Sequence, residues 1–257
     1  MSVEGMLRSI VRPITPVALR PMAYLPRLTF KMTGGRVFSG PFKGMQYINE
    51  SFESCYIPKV LGIYERELQP AVEAAIASEP QLVVDIGTAE GYYAVGVARR
   101  LPNAQIVGFE AEAAGRVLLS QMMELNGMHD RIAIRGRCEI ADLNEVLGDG
   151  LGTWIICDCE GYEQVLLDPK AVPAMANSMI VAELHDMFVP GVTAQIVERF
   201  SATHDIEQIA ESKRSITEYP FKALYLQMCP KRYLNWAVNE GRTGVTTWLW
   251  MRPKKSI

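Results

Sequence analysis

Acids close several of the apolar runs in this chain, and a histidine stands among them. Asp85 follows Leu82-Val83-Val84, and Glu110 closes Ile106-Val107-Gly108-Phe109. Asp158 closes Trp154-Ile155-Ile156-Cys157, and Glu183 and His185 close Met179-Ile180-Val181-Ala182. Carboxylates in such places are costly unless they are paired, protonated or met by a cation. A histidine among acids holds a tuned pKa and can take up a proton. His185 is therefore the candidate base, with Asp158, Glu160 and Glu183 as the acids that orient it or the hydroxyl it serves.

The first of these acids opens a glycine loop, Asp85-Ile86-Gly87-Thr88-Ala89-Glu90-Gly91, followed by the amphipathic run from Tyr92. A strand, a glycine turn and a helix place a loop at the carboxyl edge of a sheet, where open α/β sheets bind ligands. The dinucleotide fingerprint G-x-G-x-x-G is absent; the spacing is G-x-x-x-G. Asp85 at the mouth of such a loop repels a phosphate and suits a cationic amino-acid moiety. Glu110 lies about 20 residues on, the distance at which a carboxylate grips ribose hydroxyls. S-adenosylmethionine (SAM), with a ribose diol, an ammonium and a sulfonium, suits both acids. The candidate cofactor contacts are Asp85, Gly87, Glu90, Gly91, Tyr92, Glu110 and Asp158, with Cys138 and Glu139 where an adenine-contacting turn falls. Plainer roles compete: Asp85 as a cap of the helix turn, Tyr92 as packing, Glu139 as an acid at a helix N-terminus.

The elements that position these residues follow from periodicity. Strands are expected at 81–87, 104–110, 131–137, 152–158 and 178–185, with helices at 91–101, 112–126, 139–147 and 161–167 between them. A helix over 193–200 follows, then a strand at 206–210, a long insertion with a helix near Tyr233 to Val238, and a strand at 246–251. Such alternation predicts an α/β fold with a parallel sheet covered on both faces. Ahead of it, Tyr64 to Ala77 reads as a helix and Gly40 to Met45 as a hairpin or lid.

Two segments carry a family resemblance. Val83 to Glu110 is similar to the first two motifs of class I SAM-dependent methyltransferases. Asp158-Cys159-Glu160-Gly161-Tyr162-Glu163-Gln164-Val165-Leu166 resembles the D-x-E-G-x-E-x-x-V/L signature of the FkbM type, and Ala182-Glu183-Leu184-His185-Asp186 resembles its E-x-H segment. The likeness spans about residues 81 to 187, with an echo in Glu240-Gly241-Arg242 and Trp248-Leu249. It implies a Rossmann-like sheet, mostly parallel with an antiparallel last strand. It also implies transfer of a methyl group from SAM to a hydroxyl of a sugar, a glycan precursor or a polyketide-like metabolite. Asp158, His185 and Asp186 are similar to the set that holds a divalent cation in catechol-type methyltransferases. Mg²⁺ or Mn²⁺ is thus a variant, with a mixed donor set that suits Mg²⁺ only in part. A non-catalytic SAM-fold binding or assembly module is the other alternative.

Composition narrows the rest. The chain has 257 residues, is 49% hydrophobic and carries a formal net charge of −3. No global charge favours nucleic acid, no apolar run approaches a membrane span, and five cysteines without a framework spacing suit a reducing, cytoplasmic setting. Cys157 and Cys159 flank Asp158, with no second pair to complete a zinc site. Residues 1–36 form a basic N-terminal arm: Arg8, Arg12, Arg20, Arg27, Lys31 and Arg36 against Glu4. Its prolines are expected to break any long helix. It can cap the core, contact a second copy or touch an anionic membrane. Residues 37–80 form a lead-in and 81–257 the SAM-dependent methyltransferase domain. Tyr92 and Tyr93 can wall the pocket, and Trp236, Trp248 and Trp250 can stack on a sugar or fill core.

Overall fold

The computed structural model describes residues 20–52, 54–222, 224–242 and 246–254. Seven strands form one sheet in the order β3-β2-β1-β4-β5-β7-β6. They are β1 (Leu82–Ile86), β2 (Gln105–Phe109), β3 (Ile132–Arg135), β4 (Thr153–Cys157), β5 (Met179–Leu184), β6 (His204–Ala210) and β7 (Thr247–Pro253). β1 to β5 pair in parallel, and β7 runs antiparallel to both of its neighbours, β5 and β6.

The apolar runs predicted β1, β2, β4 and β5 because a parallel sheet covered on both faces needs apolar side chains in both directions. Successive residues divide between two cores. Val83, Ile106, Trp154, Ile156 and Val181 join one, with Trp248 and Trp250. Val84, Ile86, Phe109, Ile155, Cys157 and Ala182 join the other. Phe109, Ile86, Cys157 and Ala182 lie in register across four strands. The next step along each strand is Glu110, Gly87, Asp158 and Glu183. By the two-residue period these face the first core. Asp85 faces the same way one row back, in register with Gly108 and Ile156.

The elements before the sheet differ from the expectations in two places. A helix spans Pro21–Thr33 with Pro26 inside it. Pro21 sits at its start, where no intrahelical donor is needed. Pro26 removes one bond, and the burial of Leu25 and Thr29 holds the rest. These two pack on a small core with Ile57, Leu61, Tyr219, Ala237 and Val238, and Thr29 Oγ1 lies 2.6 Å from the Tyr219 hydroxyl. The described part of the arm thus caps the insertion between β6 and β7; Arg8, Arg12, Pro13 and Pro16 lie outside the described residues. The helix expected from Tyr64 starts later, as a 3₁₀ turn at Arg66–Leu68 leading into Gln69–Ala77. Glu65 holds a left-handed φ of 45° that no helix accommodates. The expected hairpin is present: Val37 N donates to Met45 O at 2.8 Å, and Phe42 and Met45 are buried.

Candidate active site

A cavity of about 560 Å³ opens at the carboxyl edge of β1, β2, β4 and β5. Asp85, Gly87, Tyr92, Glu110, Cys138, Asp158, Glu160 and Glu183 line it. Three buried polar atoms of its lining have no hydrogen-bond partner: Asp85 Oδ2, Thr88 Oγ1 and Asp158 Oδ1. Unpaired buried polar atoms are costly, and their convergence on one cavity marks where a polar ligand would satisfy them.

Gly87 sets the tight contact at the centre. Its φ is 86°, and a Cβ there would stand 1.7 Å from the Asp158 carbonyl oxygen. Asp158 N donates to Ile86 O, and Gly87 N to Phe109 O, both at 2.9 Å. The β1 loop is thereby pressed against the ends of β2 and β4, with no side chain between Glu110 and Asp158. Glu110 is anchored at both oxygens, Oε2 by Ala89 N and Oε1 by Glu112 N, each at 2.8 Å. That holds its plane still and leaves each oxygen a second lone pair for a hydroxyl.

Three expected contacts stand away from the cavity lining. Glu90 is fully buried, but it turns toward the lead-in: Lys59 Nζ at 2.6 Å, Tyr47 OH at 2.5 Å and Phe52 N at 3.2 Å surround its carboxylate. Gly91 starts the helix Tyr92–Arg100 with φ 93° and packs against Leu119. Glu139 caps the helix Ile140–Val146 in a reciprocal box with Asp142 and accepts from the Tyr162 hydroxyl at 2.8 Å.

His185, just past β5, lies behind the cavity. Its Nδ1 faces Oε1 of the fully buried Glu163 at 2.8 Å. Its Nε2 faces Asp158 Oδ1 and Glu160 Oε2 at 3.7 Å and Glu183 Oε1 at 3.8 Å. These gaps are too long for hydrogen bonds. The Phe188 ring stacks on the imidazole at 5.7 Å. Burial works against a charge on His185, but the Glu163 bond and the Asp158 and Glu160 charges outweigh it and raise its pKa. Burial opposes the Glu163 carboxylate too, and His185 holds it below the usual range. Burial, then the Asp158 and Glu110 charges, push Asp85 up to about 8. Burial and the Glu65 charge push Asp158 up to about 7. Glu183 is raised as well, by burial and by Asp158 and Glu65.

The metal set suggested by the resemblance is not assembled. Asp186 is committed to the helix Val192–Phe200, accepting from Gly191 N at 3.0 Å and from the Thr193 hydroxyl. Asp158, Glu183 and His185 do bring one ligand atom each within 4.8 Å of one another. However, Oε1 of Glu183, the oxygen that faces His185, already accepts from the Arg242 guanidinium. The donor set does not fit a divalent cation while Arg242 holds it.

Tyr93 joins Tyr92 in the wall as expected, and residues not foreseen complete it: Lys59, Tyr64, Glu65 and Thr88. The Tyr93 hydroxyl donates to Glu65 Oε2 at 2.5 Å. Trp248 lines the cavity, Trp250 fills core and Trp236 is exposed. Cys157 and Cys159 bring their sulfurs to 3.6 Å beside Asp158.

No protein-family model matches the chain, and no curated protein matches it. Among solved structures it is similar to the O-methyltransferase TomG from Streptomyces achromogenes, involved in tomaymycin synthesis and in complex with SAM. The identity is 14% over 76% of this chain and 81% of that one, with a TM-score of 0.49. It is also similar to an O-methyltransferase from Bacillus cereus in complex with SAH, at 14% identity over 77% and 96% of the chains and a TM-score of 0.46. A third is cofactor-bound Rv0187 from MTB, at 12% identity over 98% and 97%, with a TM-score of 0.47. Among the described residues no helix is long and apolar enough to cross a membrane.

Proposed function

We propose that this chain is a SAM-dependent O-methyltransferase whose acceptor is a hydroxyl of a sugar, a glycan precursor or a polyketide-like metabolite. One observation carries the reading. Asp85, Glu110, Asp158 and Glu183 stand on four adjacent strands, face one cavity, and two of them leave a buried oxygen unbonded. A dinucleotide phosphate would be repelled there, whereas a cationic nucleoside suits the acids.

When bound, SAM would supply an electrophilic methyl group on a sulfonium, whose departing group is a neutral thioether. The protein's own part is placement and proton handling. Asp85 holds the ammonium of the methionine moiety, and Glu110 the ribose hydroxyls. Asp158 receives the acceptor proton, since a carboxyl whose pKa is raised toward neutrality is matched to that task. His185, oriented by Glu163, stands behind as a cation that steadies the Asp158 carboxylate. This reassigns the base from His185 to Asp158, because a raised imidazole pKa favours the charged ring. Alignment of acceptor and methyl in the cavity supplies much of the remaining rate.

Calorimetric titration with SAM tests the reading. One saturable site per chain is expected, with affinity reduced at least about tenfold in Asp85→Asn, the loss of one charge-assisted contact. Absence of saturable binding by the wild-type chain removes the assignment.

A further inference from the structure

Arg242 is a counter-charge shared by Glu65, Glu183 and Glu240. Its Nη2 donates to Glu65 Oε1 at 2.7 Å, its Nε to Glu240 Oε2 at 3.2 Å, and its Nη1 to Glu183. The guanidinium lies 4.6 Å from the centre of the Trp248 ring, and Trp248 is paired with Glu183 across the β5–β7 ladder. The Arg242 side chain is only 12% exposed. Glu65 meets it from a left-handed backbone, a strained conformation for a residue with a side chain. Glu240 has a second partner in Arg214, at 2.8 Å. Among the described residues, Arg242 is the cation in hydrogen-bond contact with Glu65 and Glu183, and the His185 ring stands 3.8 Å from Glu183.

We infer that Arg242 takes the place of a divalent cation in this site, as a fixed guanidinium that neutralises Glu183 and Glu65 behind the cavity. The inference rests on the methyltransferase reading and concerns a positioning residue. The geometry is specific at one atom. Glu183 Oε1 is both the acceptor of Arg242 and the oxygen that faces His185 Nε2 at 3.8 Å. An ion held by Asp158, Glu183 and His185 would meet the guanidinium on that oxygen, charge against charge. Arg suits the place because its planar fork serves two carboxylates at once and stays charged at any working pH. Removing it would leave buried carboxylates uncompensated, and such a set either takes up protons or recruits a cation.

The test uses Mn²⁺ alone as probe, followed by electron paramagnetic resonance and by thermal melting of the full chain without SAM. The wild-type protein is expected to bind no Mn²⁺ saturably and to keep its Tm on adding it. Arg242→Met is expected to melt lower and to bind one Mn²⁺ at least about tenfold more tightly than the wild type, recovering part of the lost Tm. Arg242→Lys, which keeps the charge, is expected to stay close to the wild type in Mn²⁺ response. Should Arg242→Met not fold, the double variant Arg242→Met with Glu183→Gln keeps the test open, because it removes an orphaned charge and is expected to melt above the single variant. Saturable Mn²⁺ binding by the wild type overturns the inference. So does a folded Arg242→Met with no gain in Mn²⁺ affinity, whatever its Tm, or a double variant no more stable than the single. None of these readouts involves SAM, so a failure of SAM binding would sink the methyltransferase reading separately.

Discussion

Asp85 is 2% exposed, with one carboxylate oxygen bonded to nothing, and its pKa is pushed up to about 8. A neutral carboxyl cannot hold an ammonium well, so the cation must expel the proton to make its ion pair. SAM affinity is therefore expected to rise by up to about tenfold per pH unit between roughly pH 6 and pH 8. Titrations in buffers of different ionisation enthalpy would report about one proton released per SAM at pH 6 to 7. Asp85→Asn should flatten the profile; a flat profile in the wild type would remove Asp85 from that role. The acids that face the cavity were legible because each ends an apolar run, and a strand end is a readable place. Glu65 and Arg242 were not, since Glu65 lies in a run whose periodicity reads as an ordinary helix, Arg242 appeared only in a faint family echo, and both reach the site only through tertiary contact. Glu90 shows the opposite limit. It lies in the glycine loop, but its carboxylate turns away to Lys59, and adjacency in sequence does not reveal that turn.

The β1 loop works by approach of backbone to backbone, and its tolerance differs from that of an ordinary helix cap. Gly87 and Gly127 both have positive φ, 86° and 67°. A Cβ at Gly87 would meet the Asp158 carbonyl at 1.7 Å, whereas at Gly127 it would meet nothing within 4 Å. Gly127→Ala is expected to cost only backbone strain, about 1–2 kcal/mol, and to leave SAM binding unchanged. Gly87→Ala must also part β1 from the end of β4, so it should melt lower than Gly127→Ala and lose SAM binding. Equal melting points with SAM binding intact in both would contradict the proposed role of the contact. The central strands β1, β2, β4 and β5 were legible at this scale because burial on both faces demands apolar runs. The start of the helix at Gln69 was not, because Glu65 takes a left-handed φ where it meets Arg242 and Tyr93, far away in sequence.

Across the whole molecule, the same site sets how stability depends on pH. Asp85 and Asp158 are raised from 3.8 to about 8 and about 7, and His185 is raised as well. Between the ordinary carboxylate range and those values the folded chain binds more protons than the unfolded one. Stability from these groups is thus present at acid pH and lost as pH rises through the folded values. Glu163, Glu67 and Glu73 are held below 4.5, so their contribution is present above that value and fades as pH falls below it. The two limbs bracket a maximum, and without ligand the Tm is expected to peak at about pH 5 to 6 and to decline toward pH 8.5. Saturating SAM should make the alkaline decline shallower, because an ammonium beside Asp85 stabilises the charge that burial opposes. A Tm that climbs steadily from pH 5 to pH 8.5 without ligand would show that the cavity acids are ionised in the folded chain, and the pH dependence expected of SAM binding would fall with it.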